Sequence, residues 1–404
     1  MLWGSTILSK AFFVVCVLLA VGIFLTTFFT IIYQRVWYDR VMRPRYNPAY
    51  EPSCVIIIPC KGKMTGLEKT IQAYLDMDYQ KFEVIYTVES STDPAVEIIN
   101  EVIKHHPRAS LCVAGLASSC AQKNWNMLAA IKQAKNPDAY VFADGDIIPG
   151  KTWLREMVLP LSTAKPCATT GFRWLMARKG GLAEHNHAFF NAFLYQLFSV
   201  ASFVGNVGLW GGSMAIRRKD FEDLKVGQRW AETAVDDLSL AEIIMKNSRT
   251  SVLVPSCITM DDEPLTSLPA SMRWIERQMM FLKMYHTHLW LVATPAIFFG
   301  LVAFAWPLVA ILASVLIGRS FFACGGAGPV ILVAVDLITT ALLYPRLGRM
   351  RNFLQFLAIE PVVRWIQLYS LALTATTNTI KWSGVEYKVK VRSGKVVSLN
   401  RPDA

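Results

Sequence analysis

Two carboxylates separated by one glycine, Asp144-Gly145-Asp146, stand where an apolar run breaks. Tyr140-Val-Phe-Ala precedes them, and Ile147-Ile148-Pro149 follows. Acids at i and i+2 leaving a buried strand can converge on one hard cation when the backbone between them turns. Magnesium or manganese suits such a pair, because both take oxygen ligands and keep affinity for phosphate oxygens. An Asp-Gly turn between strands is the competing reading of the same residues. A second acidic pair, Asp236-Asp237, opens an amphipathic helix, where ordinary capping with a favourable dipole would also place acids. Between the two pairs, Trp210-Gly-Gly-Ser213 is a glycine-rich bend into a strand, where backbone without Cβ can approach a ligand closely. Arg273-Trp274-Ile-Glu-Arg277-Gln278 opens a basic and aromatic stretch.

The elements that must position these groups alternate. Apolar runs of strand type lie at 54–58, 82–88, 110–113 and 140–143, with helical spacing at 67–75, 95–105 and 126–134. Strands alternating with helices predict a mostly parallel sheet with helices on both faces. Ligands in such sheets bind beyond the carboxyl ends of the strands. Lys61-Gly62 after the first strand, Asp93 after the second and Asp144/Asp146 after the later one share that address. Asp93 also stands where a helix beginning near Pro94 would take a cap. Beyond position 150 the rhythm loosens, with a helix-like stretch at 184–202 rich in phenylalanine. Within it His185 and His187 sit two apart, a spacing that points helical side chains away from each other rather than at one metal.

The composition sets the frame. Over 404 residues the chain is 53% hydrophobic and still carries a net charge of +11, with a mean hydropathy of +0.34. That combination fits a membrane protein with a basic face toward phosphates or lipid headgroups. No basic-aromatic array or zinc spacing supports nucleic acid as a partner. Eight cysteines without a C-x-x-C read as reduced core residues. Residues 11–33 are apolar for about the span of a bilayer and lack a small-x-small cleavage site. Arg35, Arg40, Arg43 and Arg45 follow, so the charge rule puts the next domain in the cytosol. Further apolar segments lie at 289–317 and at 330–344, the latter containing Asp336, and Arg346, Arg349 and Arg351 mark a cytosolic return. The stretch 353–377 is interrupted by Glu360, Pro361 and Arg364 and precedes a basic tail, so it reads as interfacial or re-entrant. The expected organisation is a transmembrane helix over 1–34, a basic linker over 35–52 and a cytosolic domain over 53–285. Transmembrane or interfacial helices follow over 286–378, and a tail hairpin over 379–404.

Taken in order, these residues resemble the ceramide glucosyltransferase family, membrane-bound nucleotide-sugar glycosyltransferases with the GT-A fold. The likeness runs from about Val55 to Gln278, roughly half the chain. Pro59-Cys-Lys61-Gly62 is similar to the family's Pro-x-Lys-Gly, and Asp78-Tyr79-x-Lys81-Phe82-Glu83-Val84 to its Asp-Tyr-Pro-Lys-Tyr-Glu-Val. Asp93-Pro94-Ala95 resembles the segment of its first signature aspartate, and Lys123 with Asn126 its Lys-x-x-Asn. Asp144-Gly-Asp146-Ile matches the metal-binding position, Gly212-Ser213-Met214 the acceptor-side loop, and Asp236-Asp237 the Glu-Asp whose aspartate is the base. The final signature, usually (Gln/Arg)-x-x-Arg-Trp, departs from the pattern. Trp274-Ile-Glu-Arg277-Gln278 lacks both its ends, and a competing register uses Arg273-Trp274.

The resemblance implies an α/β fold of GT-A type, Rossmann-like with a mostly parallel mixed sheet and flanking helices, plus transmembrane α-helices. It implies inverting, non-processive transfer of a hexose, glucose first, from a UDP-sugar to a lipid hydroxyl such as that of ceramide, at a lipid bilayer. Asp237 would be the base. Lys61, Asp93, Lys123, Asp144 and Arg277 would bind the donor, and Trp210, Gly212, Asp236 and Trp274 would flank the acceptor. Asp146 with Asp144 would hold Mg2+ or Mn2+. Without the closing Trp of the last motif, which binds the growing chain in polysaccharide synthases, a polymerase is the weaker reading. The intact acids weigh against an inactive lipid-binding scaffold.

Overall fold

In a computed structural model, which describes residues 2–205, 208–261, 267–318, 320–347 and 353–402, the chain opens with α1 (Leu2–Ile32). The helix does not stop at its apolar end. It continues as π-helix over Tyr33–Met42 and as a tight turn over Arg43–Arg45, so the expected linker is helical as far as Arg45. Two anchors hold that extension to the next domain. Tyr33 donates its hydroxyl to the Leu253 carbonyl at 2.8 Å, and Arg43 pairs with Glu156 at 2.5 Å.

Alternation then proceeds through β1 (Cys54–Pro59), α2 (Leu67–Leu75), β2 (Phe82–Val88), α3 (Ala95–Ile103), β3 (Ala109–Val113), α4 (Gln122–Gln133) and β4 (Ala139–Ala143). After it come α5 (Trp153–Val158), β5 (Pro166–Leu175), α6 (Leu182–Phe203), β6 (Ser213–Arg217), α7 (Arg218–Asp223), α8 (Val226–Trp230), α9 (Asp236–Lys246) and β7 (Thr250–Asp261). The seven strands form one sheet in the order β3-β2-β1-β4-β6-β5-β7. Every pairing is parallel except those that β6 makes with β4 and β5. Helix α4 packs on β1, β2 and β3, while α5 covers β5, β6 and β7.

Burial explains why β1 and β4 lack an alternating pattern. Ile56, Ile57 and Ile58 are fully buried, as are Val141, Phe142 and Ala143. Central parallel strands covered on both sides read as continuous apolar runs. Phe142 meets Trp230 edge to face, with ring centroids 4.9 Å apart. Such a pair adds about 0.5–1.5 kcal/mol beyond its buried area. The cysteines are free, and seven of the eight are buried, as the scattered spacing suggests.

Helix α10 (Leu268–Tyr285) leads from the sheet into α11 (Thr287–Ile317), α12 (Ala327–Leu347) and α13 (Phe353–Ala375). Three segments are long and apolar enough to cross a membrane, Ser9–Arg45, Thr287–Ile317 and Phe353–Ala375, and Ala327–Leu343 is a shorter apolar helix. They turn Leu18, Phe24, Leu308 and Val315 outward, each at least half exposed. Large exposed apolar faces of this kind suit lipid rather than water. Helix α13 packs along α10 and α6 as well as α11. Of the arginines expected to mark the return before it, Arg349 and Arg351 lie outside the described residues.

The tail forms more than a hairpin. Strands β8 (Thr379–Trp382), β9 (Val385–Val389) and β10 (Val396–Asn400) make an antiparallel three-stranded sheet. Its Ile380, Val385, Tyr387 and Val389 share a buried cluster with Met280 and Met284 of α10 and with Ala234 and Val235. The tail is thereby part of the same body as the seven-stranded sheet.

Candidate active site

Asp144 leaves the carboxyl end of β4 and meets the glycine bend that enters β6. The register pairs Ala143 with Ser213, and the Asp144 amide donates to the Gly212 carbonyl at 3.1 Å. The bend must be glycine because the acids lie against it. A Cβ on Gly212 would sit 2.4 Å from Asp144 Oδ2, and one on Gly211 would sit 2.4 Å from Asp236 Oδ2. Contacts that short force backbone or carboxylate to move. Gly212→Ala is expected to cost about 1–3 kcal/mol of stability, the range for overpacking, which thermal melting reads.

Asp236 and Asp237 reach the same place from α9. Trp230 Nε1 donates to the Asp236 carbonyl at 3.0 Å, so the indole that packs on Phe142 also holds the start of α9. The side chain of Asp237 is tied by its neighbours: Gly211 N donates to Oδ2 at 2.8 Å and Leu238 N to Oδ1 at 2.6 Å. Lys123, on the first turn of α4, joins the two acidic pairs. Its Nζ lies 3.0 Å from Asp144 Oδ1, 3.1 Å from Asp236 Oδ2 and 3.1 Å from the Gly211 carbonyl. The ammonium donates hydrogen bonds to Asp144 and to the Gly211 carbonyl, while it holds Asp236 by charge and leaves Asp236 Oδ2 without a hydrogen-bond donor.

The charges follow from this packing. Burial works against the Lys123 ammonium, but the carboxylates of Asp144, Asp236 and Asp237 outweigh it and hold its pKa above the ordinary lysine value. Asp237 moves the other way for a carboxylate. Burial, then the charge of Asp236, raises its pKa to about 7, against the opposing pull of Lys123 and the two amide donors. A carboxyl that titrates near neutrality is suited to accept a proton at physiological pH.

Asp146 stands half exposed beside Asp144 and pairs with Arg173 of β5 at 2.7 Å. Both acids line one cavity. Two carboxylates are the protein donor set that magnesium or manganese commonly takes when substrate phosphates supply further oxygens. Among the described residues, no cluster of three or more His, Cys, Asp or Glu side chains gathers to hold a metal without such help. The acids present fit a divalent cation shared with a phosphate-bearing ligand.

The other expected residues fall around this core. Asp93 accepts from the amides of Gly62 and Ala95, both at 2.8 Å, so it both caps the first turn of α3 and ties the loop after β1. Lys61 is half exposed; it pairs with Glu89 at 3.0 Å and donates to the Ser383 carbonyl in the tail sheet at 3.0 Å. Arg277 of α10 lies over the Trp382 ring at 5.6 Å, and its buried Nε has no hydrogen-bond partner. Desolvation lowers its pKa, partly offset by Asp144. Trp274 takes His187 edge to face at 4.1 Å and Phe190 at 5.8 Å. Burial, with Arg173 and Arg277 nearby, pushes His187 down to about 3, so it is neutral at pH 7. His185 packs instead on Phe356, and the two imidazoles part as their spacing predicts.

A single cavity of about 810 Å³ joins these groups to the membrane helices. Lys123, Asp144, Trp210, Asp237, Trp274 and Arg277 line it. So do Ile23 of α1, Phe304 of α11, Leu332 of α12 and Gln367 of α13. Sequence reasoning missed Arg173 and Trp382, which stand on strands with no motif around them. Their partners Asp146 and Arg277 lie 27 and 105 residues away. A lone arginine in a strand as apolar as β5 was the one available signal.

The model of glycosyl transferase family 21 matches residues 15–396. Ceramide glucosyltransferase 1 of Caenorhabditis elegans is 23% identical over 196 residues, 48% of this chain and 42% of that one. Ceramide glucosyltransferase 3 of the same organism is 29% identical over 124 residues, 28% of this chain and 27% of the other. The chain thus spans less than half the length of these curated relatives. Among solved structures, the mannosyltransferase PcManGT from Pyrobaculum calidifontis, in complex with GDP-Man and Mn2+, superposes with a TM-score of 0.52 at 14% identity. That match covers 91% of this chain and 98% of that one, a likeness of fold.

Proposed function

From a chain that belongs to glycosyl transferase family 21, the family of the ceramide glucosyltransferases, and that is therefore a nucleotide-sugar glycosyltransferase, we propose a membrane enzyme that moves one hexose from a UDP-sugar to a lipid hydroxyl. Glucose and ceramide are the first donor sugar and acceptor to test, in keeping with the relatives. The observation that carries the reading is the cavity, which Asp237, Asp144 and Arg277 share with α1, α11, α12 and α13. A lipid lying between those helices can present its hydroxyl to the acids without leaving the membrane.

In this mechanism Asp237 takes the proton of the acceptor hydroxyl as its oxygen attacks the anomeric carbon. The bond from that carbon to the diphosphate breaks on the opposite face, giving inversion in one displacement. Arg277, a half-buried cation without an anionic partner among the described residues, contributes positive charge for the departing diphosphate. Lys123 holds Asp144 and Asp236 in place, and Asp93 keeps the loop after β1 against α3. Asp146 and Asp144 would hold magnesium or manganese, which when bound neutralises charge on the diphosphate. The arginines from Arg35 to Arg45 favour a catalytic domain facing the cytosol.

Purified enzyme given labelled UDP-sugars, divalent metal and a panel of lipids tests the reading. One glycosylated lipid product supports it. A ladder of longer products points to a polysaccharide synthase instead, and no product with any donor overturns it. Chelation is expected to abolish transfer, and added Mn2+ or Mg2+ to restore it; full activity in excess chelator would remove Asp144 and Asp146 from the metal role.

A further inference from the structure

The membrane-side part of the cavity carries a polar cluster that sugar transfer does not use. Arg364 of α13 pairs with Asp336 of α12 and, at 2.8 Å, with Glu360 one turn away. Its guanidinium lies over the rings of Phe189 and Phe304 at 5.4 and 5.0 Å. Glu360 is fully buried, and its Oε2 has no hydrogen-bond partner. Gln367 follows on the same face of the helix, since positions 360, 364 and 367 are spaced i, i+4, i+7. It is 5% exposed, and its Nε2 is likewise unpartnered. Asp336, Arg364 and Gln367 all line the cavity that Asp237 lines.

A purely structural ion cluster would close on itself, whereas here Arg364 and Gln367, which line the cavity, each keep a buried nitrogen without a partner. A buried donor or acceptor left unmade costs about 1–3 kcal/mol, and ionisable residues among membrane helices mark binding sites more often than packing. The unpartnered atoms are of both kinds, the donors Arg364 Nε and Gln367 Nε2 and the acceptor Glu360 Oε2, so a matching ligand both accepts and donates hydrogen bonds. A phosphate would meet the carboxylates of Asp336 and Glu360 at close range. A neutral hydroxyl or amide meets them without adding a charge to an apolar wall.

We propose that Asp336, Arg364 and Gln367, with Glu360 holding Arg364, form a second recognition site, for a neutral hydroxyl or amide that the acceptor lipid carries apart from its reacting hydroxyl. The inference rests on the lipid-acceptor reading above. The site makes the enzyme select lipids that bear such a group over plain alcohols of equal chain length.

The test compares three probes: an N-acyl amino-diol lipid, its deoxy analogue lacking the second hydroxyl, and its ester analogue lacking the amide N–H. Binding of each radiolabelled lipid to purified enzyme is measured at equilibrium, alongside kcat/KM for sugar transfer. Wild type is expected to prefer the parent lipid over at least one analogue by about tenfold, and the analogue that loses identifies the group read. Gln367→Met, which conserves volume, is expected to erase that preference while melting at the wild-type temperature. Arg364→Met strands two buried carboxylates and is the weaker variant, because misfolding would mask it. Equal binding of all three lipids by wild type, or an unchanged preference in Gln367→Met, overturns the site. Binding preference lost in the variant but no sugar transferred by either enzyme leaves the site standing and sinks the transfer reading. Transfer to all three lipids at equal efficiency by both enzymes does the reverse.

Discussion

Asp237→Asn is expected to lower kcat by about 10²–10⁴-fold, the contribution of a positioned general base, while the donor KM stays near the wild-type value. Asparagine keeps a carbonyl oxygen for the Gly211 amide and gives up the acceptor of the Leu238 amide, so the bend is retained at the loss of one hydrogen bond. What is lost is a carboxylate oxygen basic enough to take the proton of the hydroxyl. The pH profile gives the same residue a second readout. Asp237 works as a base only when deprotonated, and its pKa is raised to about 7. The kcat/KM of wild type should therefore rise tenfold per unit of pH below about 7 and level off above it, whereas the residual rate of the variant should show no such limb. A wild-type profile flat from pH 5 to 8 would take the base role away from Asp237. A Gly211→Ala variant offers a third view, since its Cβ crowds Asp236 rather than Asp237.

Arg277→Met should separate function from stability in opposite directions. The guanidinium is partly desolvated and lies over the face of Trp382, with no carboxylate within ion-pair distance among the described residues. Removing such a charge relieves a desolvation cost, so the melting temperature is expected to hold or rise. Activity is expected to fall by about 10²–10³-fold, the usual loss when a donor aimed at developing charge is deleted. Arg277→Lys should recover little, because a point charge on a flexible stem does not reproduce a planar fork. A variant that loses stability and activity together would mark Arg277 as structural. The departure of the last motif from its family pattern makes this the sharper of the two tests.

Much of this site was legible in the residues themselves. Asp144-Gly-Asp146 follows an apolar run because β4 is buried on both faces and ends where the sheet opens, and that is a local property of sequence. Alternating strands and helices placed Lys61, Asp93 and Asp144 at one edge, since parallel strands share their carboxyl ends. The acids at 236–237 announced a helix start, which they are.

Other features belonged to tertiary contact alone. That Lys123 bridges Asp144 to Asp236, or that Arg173 answers Asp146, depends on elements brought together from 21 to 113 residues apart. The tail looked like a small hairpin, because Trp382 and Tyr387 acquire meaning only against α10 and α4. The sequence determined which groups could do chemistry, because residue type and local spacing set charge, turn and burial. Only the fold decided which of them meet, and it joined the acids to a membrane-side cavity because apolar helices far apart in the chain must bury against one another.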